Sequence, residues 1–284
     1  MSVVDVDELA VPPPEWRFRR RLRLSRLTRE VWRSRTLIWT LAEREIRVRY
    51  KQAVLGFAWA VVTPLVLMIA FTLFFQRAAR IDTAPVPYPL FAFIALIPWT
   101  FFSTAVAQGG LSLVNNVQLL NKVYCPREVF PLASVVIASI DSLVAGVVFA
   151  VLLLKFGVLP AATSVWVPAL LAIQVAFTVG VTLLISAIVV YLRDLRHALP
   201  IVLQLGLFVT PVAFPLDVVP VSLRGLYVGL NPLAAVIDAY RRTVLFGQPP
   251  RLGLLAIAAA GAAVTVLGGY LGFKRMEASI ADVA

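Results

Sequence analysis

Apolar runs of about 20 residues recur along this 284-residue chain. A helix needs roughly 20 apolar residues to cross the hydrocarbon core of a bilayer, so such runs constrain the fold more than any other feature. In lipid a chain must also satisfy its own backbone hydrogen bonds, which favours helices over irregular structure. We predict six membrane-spanning helices, at about 55–76, 90–108, 130–154, 166–191, 198–214 and 252–273.

The composition agrees with a membrane protein. The chain is 60% hydrophobic and only 14% charged, with a mean hydropathy of +0.88. A soluble domain carries about a quarter charged residues. A single cysteine, Cys125, leaves no intramolecular disulfide framework. We therefore predict an all-α, polytopic protein of the plasma membrane, in contact with its lipids.

The positive charge is concentrated before the first apolar run. Residues 15–51 contain 13 basic and 4 acidic residues, most of the net charge of +11. Basic residues next to a span mark the cytoplasmic side, so both termini are predicted to be cytoplasmic after six crossings. A nucleic-acid partner is not expected, because nothing resembles a stacking or groove-reading module.

Four segments are predicted. Residues 1–34 form a flexible basic tail, residues 35–54 an amphipathic interfacial helix, residues 55–275 the transmembrane domain, and residues 276–284 a cytoplasmic tail. An alternative for the basic region is a solvated tail without a helix.

A long connection, residues 216–251, precedes the last span. It is broken by Pro220, by Asn231-Pro232 and by Pro249-Pro250, and neither half is long enough to cross a membrane. Two short re-entrant helices at the outer side are predicted, and an ordinary outer loop with amphipathic helices is the alternative.

No catalytic or metal-binding motif is present in the sequence. The nucleotide-binding pattern G-x-x-x-x-G-K-[ST] and the hydrolase pattern G-x-S-x-G do not occur. His197 and Cys125, each the single residue of its type, cannot form a zinc site. We predict that the chain is not an enzyme and binds no metal or cofactor itself.

A carboxylate in the third predicted span is the most informative intramembrane charge. Asp141 would face the bundle interior, either as a contact for a polar cargo or in a structural hydrogen bond. Aromatic residues of the first two spans suit sugar rings and also suit membrane interfaces. A substrate path could use Phe71, Phe74, Trp99, Phe102 and Asp141.

Four stretches resemble a known family. "EREIRVRYKQAVLGFAWAVVTPL", "IPWTFFSTAVAQGGLSLVNNVQLLNKVYCPREVFPL", "YLRDLRHALPIVLQLGLFVTPVAFP" and "LNPLAAVIDAYRRTVLFG" are similar, in order and spacing, to segments of the membrane subunits of ABC-2-type polysaccharide exporters. The resemblance covers roughly residues 37–275. Members of this family export O-antigen, teichoic acid, capsule or cell-wall galactan.

The resemblance implies a mechanism with several partners. Two copies of the membrane subunit pair with two copies of a separate cytoplasmic ABC ATPase, which carries ATP and Mg. The implied cargo is a glycan on a polyprenyl diphosphate lipid, moved from the cytoplasmic to the outer side. The alternatives are a permease for a small hydrophobic drug or lipid and a membrane-embedded glycosyltransferase.

The resemblance also implies residue roles. Arg241 and Arg242 would meet the diphosphate near the outer exit or reach to lipid headgroups. An interfacial gate helix would contain Arg44, Arg47, Arg49 and Tyr50. A short cytoplasmic coupling helix that contacts the ATPase would contain Asn115, Asn116, Gln118, Leu119, Leu120, Asn121, Lys122 and Tyr124, with Arg127, Glu128 and Pro131 at the start of the third span.

Overall fold

The structure is a computed structural model that describes residues 34–51, 59–78, 83, 85–120 and 126–283. All regular structure in these residues is helical, which confirms the predicted all-α class. The helices are α1 (Arg35–Lys51), α2 (Trp59–Phe71), α3 (Tyr88–Asn115), α4 (Val117–Leu120), α5 (Val129–Lys155), α6 (Val167–Tyr191), α7 (Leu195–Val209), α8 (Val221–Leu230), α9 (Pro232–Tyr240) and α10 (Leu252–Val283).

Four helices are long and apolar enough to cross a membrane: α3, α5, α6 with the short turn before it, and α10. Within the described residues, two of the predicted spans are shorter. α2 has 13 residues and continues as a π-helix over Thr72–Ala78, and α7 has 15 residues. Large apolar side chains such as Leu143 on α5 and Leu205 on α7 face outward. The count of six spans stays a prediction.

The bundle has two ends that gather different elements. At the first, which we call the α1 end, α1 packs on the start of α5, and the last turn of α3 and residues 270–276 of α10 lie close by. At the second, the α9 end, the starts of α3 and α10 meet α8, α9 and a π-helical turn, Arg241–Leu245. Helix α7 runs antiparallel to α3, because Leu199 lies beside Gly110 while Gly206 lies beside Trp99.

The long connection before α10 contains two short helices, as predicted. α8 and α9 are separated at Asn231, and Pro232 is the first residue of α9. Proline at the first helical position is well tolerated, because that backbone position needs no hydrogen-bond donor. Their depth in the membrane stays a prediction.

A close backbone contact joins α6 and α10. A Cβ added to Gly180 would lie 2.5 Å from the carbonyl carbon of Thr265, and one added to Gly269 would collide with the carbonyl oxygen of Gly180. Small residues allow such approach between membrane helices. Gly268 faces open space, so Gly269 is the glycine that permits the contact. Helices α6 and α10 are therefore packed as one pair.

The first and last helices lie at limits of the predicted segments. α1 falls within the predicted interfacial helix, and α10 continues to Val283, eight residues beyond the predicted limit at 275. The basic tail before residue 34 lies outside the described residues. The division into four segments stays a prediction.

Candidate functional site

A cavity of about 630 Å³ opens at the α1 end. α1 contributes Leu41, Arg44 and Glu45 to its wall, and the end of α3 contributes Asn115 and the residue after it, Asn116. Further walls come from the bodies of α3 and α5. Residues predicted separately for a gate helix and for a coupling helix thus border the same space.

The described part of the predicted coupling helix is a single turn that follows α3 directly. Asn116 breaks α3: its side-chain Nδ2 donates to the carbonyl of Ser112 at 2.9 Å, and its own carbonyl accepts from the backbone of Leu119. Gln118 is exposed, whereas Leu119 is half-buried and packs on a cluster that includes Phe130. Of the other predicted residues, Asn121, Lys122 and Tyr124 lie outside the described residues, as does the side chain of Leu120.

The predicted gate helix is held by its apolar face. Ile38 and Ala42 of α1 are buried against the start of α5. Arg47 is exposed and forms an ion pair with Glu43 at 2.6 Å, which contributes little because both side chains are solvated. The side chains of Arg49 and Tyr50 lie outside the described part of the structure.

A buried ion pair links the start of α5 to α10. The Glu128 side chain is 1% exposed, and its Oε2 accepts a hydrogen bond from Lys274 Nζ at 2.8 Å. Lys274 also binds Glu277 Oε2 at 2.9 Å, and Arg127 Nη1 donates to the backbone carbonyl of Glu277 at 2.9 Å. Removing one member of a buried pair costs about 3–5 kcal/mol when it leaves the other charge unpaired.

At the opposite end, the Arg241 guanidinium is buried among backbone carbonyls. Nε donates to Phe91 at 3.1 Å, and Nη1 donates to Pro211 at 2.7 Å and to Phe214 at 3.0 Å. Nη2 donates to Val212, and the Phe91 ring lies 3.5 Å from the Arg241 Cζ. Four of the five N–H donors are thus used within the protein.

This arrangement follows from the early end of α7. After Val209 the chain is not helical, and two prolines, Pro211 and Pro215, prevent its continuation. Carbonyls of non-helical backbone need partners from the protein in an apolar environment. Arg241 supplies donors to three of them, and Tyr88 donates to a fourth, that of Ala213, at 2.8 Å.

Burial lowers the pKa of Arg241 to about 9, while Asp238 opposes this shift. The side chain stays charged at neutral pH. Because four of its five donors bind backbone carbonyls, Arg241 stabilises the conformation of the backbone after α7. Its assignment to a substrate path stays a prediction.

A second cavity, of about 360 Å³, lies beside Arg241. Asp217 accepts hydrogen bonds from Arg251 at 2.8 Å and pairs with Arg224 at 3.0 Å. Burial raises the pKa of Asp238, and Arg251 opposes the shift. Arg242, predicted with Arg241, is half-buried on the cavity wall and donates to the carbonyl of Pro249.

A row of polar side chains runs along the buried face of α6. Gln174, Thr178, Thr182 and Ser186 recur at every fourth position and are all buried. Gln174 Oε1 accepts a hydrogen bond from Tyr240 on α9 at 3.2 Å. The spacing was visible in the sequence and was missed because these residues are neutral.

The aromatic residues predicted for a substrate path divide between two settings. Phe71 and Trp99 are buried in one cluster, with Phe102 packed against it, and Phe102 stacks on Phe177 at 5.5 Å. Phe74 is 70% exposed and faces outward. The structure therefore brings together three of the four.

Asp141 lies half-buried on α5. No group of three or more residues able to hold a metal occurs in the described part of the chain. The path and cofactor assignments stay predictions.

Comparison with known proteins decides the family. The pattern of the ABC-2 type transporter family matches residues 36–245, which include α1 to α9. The chain belongs to the ABC-2 type transporter family. With the four long apolar helices, this family membership makes the protein a multi-pass membrane protein.

Relatives of this ABC-2 membrane domain include named permeases. The chain is 34% identical over 218 residues to an O-antigen export system permease protein of Myxococcus xanthus, covering 76% of this chain and 83% of the relative. It is 28% identical to an O-antigen export system permease protein of Klebsiella pneumoniae, covering 87% and 94%. It is 25% identical to a polysialic acid transport protein of Escherichia coli, covering 72% and 79%.

Proposed function

We propose that this chain is the membrane subunit of an ATP-driven exporter that moves a polysaccharide linked to polyprenyl diphosphate across the bacterial plasma membrane. In this proposal two copies of the chain work with two copies of a cytoplasmic ABC ATPase, which binds ATP and Mg. The chain contributes no ATP site, in keeping with the missing P-loop pattern.

The names of the relatives support a polysaccharide cargo. Two are named for O-antigen export and one for polysialic acid transport, and the matches extend over most of each chain. The lipid carrier is inferred from the family resemblance of the sequence motifs.

The α1-end cavity is the observation that carries the proposal. It is bordered by Arg44, which we assign to the gate helix, and by Asn115 and Asn116, which we assign to the start of the coupling helix. A push on the coupling helix would therefore change the shape of a space that the gate helix also borders. In the proposed orientation the α1 end is cytoplasmic, as the basic residues before the first span predict, and the α9 end is outside.

The partner ATPase can be tested with a substitution on the exposed side of α4. The chain is purified with the ABC ATPase encoded beside it, and the complex is reconstituted in nanodiscs for ATP hydrolysis. Gln118→Asp should lower the co-purified ATPase by about tenfold, equal to 1.4 kcal/mol of binding free energy. Leu119 is less suitable, because its substitution would also disturb the packing near Phe130.

Ser222→Asp is the matched control. Ser222 is also exposed and polar, but it lies on α8 at the opposite end, where a cytoplasmic ATPase cannot reach. If the wild-type chain recruits no ATPase, the exporter proposal is wrong. If both substitutions reduce recruitment equally, the assignment of the coupling helix is wrong.

The cargo is tested by deletion of the gene. Loss of the chain should deplete polysaccharide at the cell surface and accumulate its lipid-linked form inside. Accumulation of a small lipid or drug instead would favour a permease for small hydrophobic molecules. Loss of glycan synthesis itself, without accumulation, would favour a glycosyltransferase.

A further inference from the structure

The buried pair Glu128–Lys274 occupies a specific place in the chain. Glu128 directly precedes α5 and follows the predicted coupling helix by four residues, whereas Lys274 lies in the C-terminal third of α10. Arg127, the neighbouring residue, reaches the same turn of α10 through the backbone carbonyl of Glu277. Two consecutive residues after the coupling helix are thus attached to the last span.

The pair is incomplete on the glutamate side. Glu128 Oε1 is buried and has no hydrogen-bond partner among the residues that the structure describes. A buried polar atom without a partner is uncommon in folded proteins and calls for an explanation. If Glu128 only stabilised one fixed structure, a second donor to its Oε1 atom would add stability. An Oε1 atom without a donor among the described residues is therefore consistent with a contact that adopts more than one arrangement.

Lysine is suited to such a contact. Its ammonium is a compact charge on a flexible chain with three donors, so it can follow a carboxylate through a small displacement. Lys274 is also anchored by Glu277 on its own helix at 2.9 Å. The charge therefore stays with α10 while the bond to Glu128 adjusts.

Movement of α10 would not remain local. The glycine contact at Gly180 and Gly269 packs α10 against α6 backbone to backbone, so the two helices are expected to move together. From α6, Gln174 reaches Tyr240 of α9. A continuous set of contacts thus connects the α1 end to the α9 end.

We propose that Glu128 is a positioning residue that transmits movement of the coupling helix to α10 through Lys274. The inference rests on the proposed function, because it needs an ATPase acting on the coupling helix. In this role Glu128 contacts neither ATP nor cargo. It couples the movement of the start of α5 to that of the C-terminal part of α10.

The experiment uses the complete complex of chain and ATPase. Glu128→Gln keeps the shape of the side chain and removes its charge. Three quantities are measured: the amount of assembled complex, its ATP hydrolysis in nanodiscs, and export in cells divided by the amount of complex. We expect hydrolysis to continue while export per complex falls about tenfold, within the range of coupling energies carried by such contacts.

Glu277→Gln is the matched control. Glu277 binds the same lysine, but it lies on α10 itself and does not bridge two segments. Its substitution should change export per complex by less than about twofold, because it removes a pair within one helix and leaves the bond between Lys274 and Glu128 in place. An equal loss in both variants would overturn the proposal.

Two further variants separate transmission from folding. The double substitution Glu128→Lys with Lys274→Glu keeps opposite charges in contact and should recover export beyond either single change. If Glu128→Gln yields too little complex, Glu128→Asp, which keeps the charge and shortens the side chain, is measured in its place. Export that falls only in proportion to the amount of complex in these variants would mean a purely structural role and would overturn the proposal. Failure of the wild-type chain to bind an ATPase would instead refute the proposed function.

Discussion

At the α9 end, Arg241 donates four hydrogen bonds to backbone carbonyls, whereas at the α1 end Glu128 uses one oxygen for Lys274 and the other has no donor among the described residues. Bonds to the main chain fix the relative positions of α3, the segment after α7 and α9. A bond between two side chains can break and re-form without any change in the backbone. The difference suggests that the α9 end is held and that the α1 end adjusts.

The largest expected effect tests whether the α9 end is held by Arg241. Arg241→Lys replaces a planar group of five donors with a point charge of three, so some carbonyls lose their partner. We expect the free energy of unfolding to fall by about 3 kcal/mol, because each bond from a charged donor contributes about 1.5–3 kcal/mol. Denaturant unfolding in detergent micelles, followed by tryptophan fluorescence, measures this.

Arg242→Lys is the control for that substitution. Arg242 is the adjacent arginine, half-buried, and among the described residues its side chain donates one hydrogen bond, to the carbonyl of Pro249 at the exposed side. Its replacement should cost less than about 1 kcal/mol. If both substitutions lowered the free energy of unfolding by similar amounts, the claim that Arg241 holds the α9 end would be wrong.

A second, smaller effect concerns the helix pair that would carry movement between the ends. Gly269→Ala places a methyl group against the carbonyl of Gly180 and should destabilise the fold by about 2 kcal/mol through overpacking. Gly268→Ala, one residue earlier, points into open space and should be neutral or stabilise by up to about 1 kcal/mol. Thermal unfolding of the two variants in the same detergent gives the difference; equal stability would show that α6 and α10 are not in close contact.

The smallest effect compares one substitution at both ends. Tyr240→Phe removes the bond to Gln174, and Tyr191→Phe removes a 2.7 Å bond to the backbone carbonyl of Met276 at the α1 end. Each should lower stability by about 0.6 kcal/mol, the average for such bonds between membrane helices. Export per complex should fall more for Tyr191→Phe if the α1 end is the part that moves. A larger fall in export for Tyr240→Phe would show instead that the α9 end moves and that the α1 end is held.

The sequence predicted the helical class well because apolar run length is a direct physical requirement of the bilayer. It misjudged the fifth span, predicted at 198–214, since the residues after Val209 are apolar although two prolines keep them out of the helix. Mean apolarity does not distinguish a buried non-helical segment from the end of a helix.

The site could be predicted only where its residues are neighbours in the chain. The predicted coupling helix is recognisable in the sequence as a polar interruption between apolar runs, and the first residues assigned to it border the α1-end cavity with Arg44. The partners of Arg241 lie up to 150 residues away in the sequence, and Lys274, the partner of Glu128, lies 146 residues away. No pattern among neighbouring residues could therefore predict these contacts. The choice of Gly269 over Gly268 likewise depends on the helix that lies opposite.

The short length of α7 also affects the lipid around it. Fifteen residues of helix measure about 22 Å, less than the roughly 30 Å of a hydrocarbon core. Its outward face, with Ile201, Leu205 and Phe208, is more than half exposed. Such hydrophobic mismatch is relieved by thinning the bilayer or by covering the helix with protein. Longer acyl chains should therefore favour the proposed pairing of two copies of this chain, which would make membrane thickness a variable in its assembly.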